Sequence, residues 1–133
     1  MADLTVTDAH LVSPPGRELT LPAAVAITKG QVITPNTTGR WRLALATNAA
    51  NAGIPYIACA DAAINETLTA YRLSDIDLGE ALAALAFNAA VYLSDTAGAL
   101  ADAAGTVSVI VGYVAPATVV QTGDADRVLR VQA

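Results

Sequence analysis

Glycine and proline recur along this chain at intervals that leave room for strands and almost none for long helices. Thr28-Lys-Gly30, Pro35-Asn-Thr-Thr-Gly39 and Ser94-Asp-Thr-Ala-Gly98 are turn sequences, and each follows or precedes a short apolar run. The runs are Ala23–Ile27, Gln31–Thr34, Trp41–Leu45, Tyr56–Cys59, Leu68–Leu73, Val91–Leu93, Val107–Val114 and Val128–Val131. All have strand length. Thirty of the 133 residues are alanine, a weak β-former, so pattern and punctuation carry this reading rather than propensity. The exception is Leu78–Ala90, with Leu82 and Leu85 at helical spacing, where Gly79 and Asn88 limit any helix to one to three turns. The predicted fold is mainly β: one small barrel or sandwich with at most one short helix. Its core is expected to hold Val25, Ile27, Val32, Leu43, Ile57, Leu68, Val91, Leu93, Val109, Val111 and Leu129.

Charge is scarce. Hydrophobic residues make up 54% of the chain and charged residues 14%, against about 25% charged in an ordinary soluble domain. No stretch reaches the roughly 18 apolar residues needed to span a bilayer. The longest, Val107–Val120, is broken by Ser108, Pro116 and Thr118. A folded chain with so apolar a surface belongs most naturally in an assembly. The net charge of −5 and the single lysine, Lys29, leave no basic stripe, so nucleic acid is not an expected partner, and neither is a membrane. Met1–Leu11 carries Asp3 and Asp8 and lacks the pattern of a secretory signal; synthesis in the cytoplasm is expected.

The first residues differ from the rest. Ser13-Pro14-Pro15-Gly16 interrupts any regular element, while Leu4, Val6, Leu11 and Val12 are too apolar for a free tail. The chain therefore divides into an extended N-terminal arm, residues 1–21, and a β domain, residues 22–133. The arm is expected to be mobile in isolation and to order on a partner.

Catalytic chemistry finds little support. The one histidine, His10, lies in the arm, which undercuts triads and histidine-based metal sites. Cys59, in an apolar run, reads as a small buried hydrophobe. Leu93-Ser-Asp-Thr-Ala-Gly98 differs from the contiguous Asp-Thr-Gly of aspartic proteases by the intervening Ala97. Asp75 and Asp77 share one side of an extended segment and are either a fragment of a calcium site or a solvated turn. No phosphate-binding glycine motif is present, and no catalytic, cofactor or metal residues are assigned. Trp41, between Arg40 and Arg42, is either a core plug or an anchor at an interface between subunits.

A shift of 59 residues places Lys29–Gly39 on Asn88–Gly98 and Gly53-Ile54 on Gly112-Tyr113. Either the domain holds two similar β-units, 23–72 and 82–131, or alanine richness alone produces the match.

Ala26-Ile-Thr-Lys-Gly-Gln-Val-Ile33, Gly53-Ile54, Ala90-Val-Tyr-Leu-Ser-Asp-Thr-Ala-Gly98 and Val111-Gly-Tyr-Val114 occur in that order. The series resembles the capsid decoration (cement) proteins of tailed bacteriophages, with their G-D-x-V, G-I-A, V-Y-L-S and V-G pattern, over residues 22 to 131. Gln31 replaces the usual aspartate, and Pro55 interrupts Gly-Ile-Ala. The resemblance implies a β-tulip-like fold, a homotrimer on the outer surface of the virion, and the major capsid protein as partner. It implies no enzyme activity and no cofactor. Such arms reach onto the lattice, which makes Leu4, Thr5, Val6, Thr7, His10, Leu11 and Val12 candidate capsid contacts, with Thr5–Thr7 as the strand-adding backbone. It also makes Trp41 a candidate for the trimer interface. The rival readings are another virion β-module, from a tail or spike, and an acidic hydrolase using Asp75, Asp77 and Asp95.

Overall fold

A computed structural model of the chain describes residues 3–12, 16–116 and 127–131. Its strands are β1 His10–Leu11, β2 Arg17–Pro22, β3 Val32–Pro35, β4 Trp41–Leu43, β5 Tyr56–Ala58 and β6 Thr67–Arg72. They continue as β7 Asp75–Asp77, β8 Ala90–Leu93, β9 Leu100–Ala101, β10 Ile110–Pro116 and β11 Arg127–Val131. Two antiparallel sheets result, in the orders β2-β6-β5-β3-β4 and β1-β7-β11-β10-β8-β9. The fold is mainly β, as the punctuation predicts, and it takes the sandwich form rather than a barrel.

Apart from β1, the two sheets repeat one plan. Read in spatial order, β2, β6, β5, β3 and β4 of the first correspond place for place to β7, β11, β10, β8 and β9 of the second. The hairpins show why the sequence shift of 59 falls where it does. Gly39 closes the β3–β4 turn at φ 76° and Gly98 the β8–β9 turn at φ 75°, a backbone conformation that side chains rarely adopt. Around the first turn the Asn36 carboxamide accepts from the backbone N–H groups of Thr38 and Arg40; around the second the Ser94 hydroxyl accepts from Thr96 N–H. The units begin earlier than residues 23 and 82, because β2 and β7 are their first strands.

The main core lies between the sheets, where Val32 and Ile57 meet Ile76, Leu78, Leu82, Val91, Leu93, Leu100, Val111 and Leu129. The five-stranded sheet also buries its opposite face. Ala23, Ile27, Ile33, Trp41, Tyr56, Ala58, Leu68 and Ala70 form a second core there. Alternation accounts for both, since Val32 and Ile57 point one way and Ile33, Tyr56 and Ala58 the other. The sheet curls round this second core until Ala23, just past β2, pairs in parallel with Trp41 on β4.

Some expectations change. Val25 is 37% exposed, because Ala23–Ile27 is a bent connection rather than a strand, pinned at Ala23, Ala24 and Ile27. Leu43 and Val109 are half-buried at the edges of the cores. Leu78–Ala90 forms only a 3-10 turn at Gly79–Leu82, bounded by positive φ at Gly79 and Asn88, and Leu82 and Leu85 plug the main core. A one-turn helix the sequence did not signal, α1 (Ala49–Ala52), is capped by the Asn48 carboxamide accepting from Asn51 N–H at 2.8 Å. The arm does not end at residue 21. β2 pairs with β6 over its whole length, and its half-buried Leu19 and Leu21 alternate with exposed Glu18 and Thr20.

Ile57→Ala and Leu129→Ala, each removing a fully buried side chain of the main core, are expected to cost about 2–5 kcal/mol in urea unfolding. Gly39→Ala adds a Cβ in open space, so its expected cost of about 1–2 kcal/mol comes from the left-handed backbone alone.

Candidate interaction surface

Residues 3–12 form a strap across the open edges of the six-stranded sheet. At one end Asp3 bridges Ala101 and Leu4 N–H donates to the Leu100 carbonyl at 2.8 Å, covering β9. The Ser94 hydroxyl donates to the Asp3 carboxylate there. At the other end His10 and Leu11 pair with Asp77 and Ile76 of β7, and Val12 N–H donates to the Asp75 carbonyl at 2.9 Å. This overturns the expectation of a free arm. Leu4, Val6 and Leu11 are half-buried against the main core and Ala9 is 1% exposed, so apolar burial inside the chain already accounts for them.

Between the anchored ends the strap alternates. Leu4, Val6 and Asp8 face inward, and Asp3, Thr5 and Thr7 face solvent. The parity shifts at Ala9, which leaves His10 and Val12 outward. Val6 is seated by a missing side chain, since a Cβ on Gly30 would lie 2.4 Å from Val6 Cγ1. A cleft of about 270 Å³ flanks this point, lined by Leu4, Val6, Lys29, Gln31, Gly98 and Leu100. Among the described residues, nothing in the chain hydrogen-bonds the backbone of Thr5, Val6 or Thr7. That short stretch presents free N–H and C=O groups between two fixed ends.

Asp8 fastens the middle of the strap. Its carboxylate meets Lys29 Nζ at 3.2 Å and His10 Nε2 at 2.6 Å, and accepts from Ala9 N–H at 3.0 Å. The Lys29 ammonium, seconded by His10 and opposed by desolvation, holds this carboxyl below its ordinary range. No local sequence pattern links Asp8 to Lys29. The signal is the lone lysine beside the glycine that seats Val6.

The remaining candidates are dispersed. Trp41 is fully buried, its ring edge-on to Tyr56 at 5.2 Å and its Nε1–H donated to the Leu68 carbonyl at 2.8 Å. A side chain so enclosed within its own chain has no surface to offer a second copy, so the interface reading of Trp41 is replaced by the core one. Asp75 pairs with Arg130 on β11 at 3.0 Å, Asp77 accepts from Gly79 N–H, and Asp95 accepts from Thr106 N–H and Oγ1–H. Among the described residues no three His, Cys, Asp or Glu side chains gather where they would hold a metal ion. Burial pushes the Cys59 thiol up to about 11. Among the described residues no helix is long and apolar enough to cross a membrane.

Two outcomes follow from this geometry. Asp8→Asn is expected to speed amide exchange at Leu4 and Val12 while leaving β5 and β10 protected. Because the Asp8 pKa lies lower in the folded chain than in the unfolded one, its contribution is complete above the ordinary carboxylate value. It is lost as pH falls through the lowered pKa, so strap exchange should rise below about pH 4 in the native chain. Cys59 should react with a thiol reagent at pH 8 much more slowly than free cysteine does, and match it only near the raised pKa. No protein-family model, curated protein or solved structure matches the chain.

Proposed function

We propose that this chain is a structural virion protein, a capsid decoration protein that binds the outside of an expanded phage head as a homotrimer and stabilises the major capsid protein lattice. The observation that carries the reading is the ordered series of motifs, together with where they fall. Ala26–Ile33 leads into β3, Gly53-Ile54 precedes β5, Ala90–Gly98 is β8 with its turn, and Val111–Val114 is the centre of β10. The series thus falls within or just before corresponding strands of the two sheets, β3 and β8, β5 and β10.

The surface suits such a role. Val12, Val25, Ile54, Ile64, Leu73, Phe87 and Tyr113 are large apolar side chains left between 37% and 59% exposed on a chain with few charges. The unpaired backbone at Thr5–Thr7 offers strand addition at one defined place, with Thr5, Thr7, His10 and Val12 outward. A protein that binds the expanded lattice and not its parts stabilises the shell by mass action, and weak contacts repeated over a shell add through multivalency.

Mixing the protein with empty expanded heads and counting bound copies tests the reading; failure to bind while tail or spike assemblies are bound would move it to another virion β-module. Size exclusion with light scattering at micromolar concentration should give a trimer, and a stable monomer of 13.5 kDa in solution and on heads alike would remove that part. The combined variant Thr5→Lys, Thr7→Lys, Val12→Lys alters only outward positions. It is expected to keep the thermal midpoint within a few degrees and to weaken head binding by about tenfold or more. Unchanged binding would take the strap out of the contact surface.

A further inference from the structure

The seven basic residues divide unevenly between used and unused. Lys29 pairs with Asp8 and Arg130 with Asp75; Arg40 donates to the Asn65 carboxamide, Arg42 to the Ala50 and Asn51 carbonyls, and Arg127 to the Leu85 carbonyl. Arg17 and Arg72 alone have neither a hydrogen bond nor an ion pair among the described residues. They are also direct cross-strand partners, Arg17 on β2 opposite Arg72 on β6. Like charges placed opposite one another weaken a sheet, and among the described residues no carboxylate pairs with either of them.

Their surroundings give the pair a direction. Both lie on the face that carries Leu19, Leu21, Leu68 and Ala70, at the end of the second core. The Arg72 guanidinium sits 5.6 Å from the centre of the Tyr56 ring, and its Nε–H is buried with no acceptor. The stem is held in place while the donors stay unspent. β2 is meanwhile an edge strand, paired with β6 on one side, and the outer side of Arg17–Leu21 has no backbone partner among the described residues.

We infer that Arg17 and Arg72 form a carboxylate-binding clamp at the edge of β2, which recognises an acidic side chain carried on an extended segment of another protein chain. The segment adds to the free side of β2 and places its carboxylate between the two guanidinium groups. Opposite charge relieves the repulsion between them, and the planar forks suit bidentate carboxylate binding. This inference goes beyond the virion reading and does not depend on it; under that reading the segment belongs to a shell subunit.

The test is nuclear magnetic resonance of the arginine Nε–Hε and backbone amide signals during titration with a blocked pentapeptide, Thr-Val-Glu-Val-Thr, with its glutamine counterpart, and with sodium phosphate. The glutamate peptide is expected to shift Arg17 and Arg72 Nε–Hε together with the amides of β2, and to bind about tenfold more tightly than the glutamine peptide. Arg17→Gln, at an exposed position, should abolish that preference and leave the fold intact. Arg72→Lys, which keeps the charge and loses the fork, should weaken it. Equal binding of the two peptides, or shifts confined to other strands, overturns the inference, as does the absence of any shift at about 10 mM peptide. Phosphate shifting the arginines while neither peptide moves the β2 amides overturns it in favour of a simple anion site. Decorated heads with no peptide response would leave the virion reading standing and this inference refuted.

Discussion

A small open sheet must do something with its edges, and the edge problem organises this molecule. Unpaired N–H and C=O groups at a sheet margin invite association with any extended chain. In the five-stranded sheet the chain curls until Ala23 reaches Trp41 and joins one end of β2 to β4. In the six-stranded sheet an added segment spans the margins instead, touching β9 at Asp3 and β7 at His10. β1 has no counterpart in the other sheet because it belongs to this closure and not to the repeated plan.

Alanine makes the two-faced burial of the smaller sheet feasible. Trp41 needs room on one face while the opposite face packs against the second sheet, and Ala23, Ala58, Ala62 and Ala70 beside it provide that room. Larger residues at these positions would overfill a space in which the indole is already edge-on to Tyr56. The same economy leaves little volume for charge. Most of the basic side chains are spent fastening loops and strands, with Arg42 holding the carbonyls at the end of α1 and Arg127 that of Leu85.

The strands were legible where turn chemistry framed them. Gly39 and Gly98 sit at the positive-φ points that two tight hairpins demand, and this spacing exposed the strands they join, which hold corresponding places in the two sheets. The strap was misread for a physical reason. Leu4, Val6, Leu11 and Val12 show only that a segment is sticky, not whether its own chain or another supplies the surface. The deciding features, a vacancy at Gly30 and a lysine beside Asp8, are remote in sequence and become visible only in space. Trp41 was ambiguous for the same reason, since its indole N–H finds its acceptor in a carbonyl 27 residues away. The opposition of Arg17 and Arg72 needs the register of β2 against β6, which no local pattern encodes.

The division of labour along the strap separates stability from recognition by parity. Leu4, Val6, Ala9 and Leu11 are committed to the chain's own core, so substitutions there act through folding before they act on any partner. Thr5, Thr7, His10 and Val12 contribute little to that core and are free to answer to a surface outside the molecule. A one-residue slip would exchange the two sets, and the slip is opposed at both ends by paired backbone and in the middle by Asp8. Fixing the strap in this register is therefore what gives its outward face a defined chemistry, and under the proposed function a shell subunit would meet a preordered strand whose entropy cost was met when the chain folded.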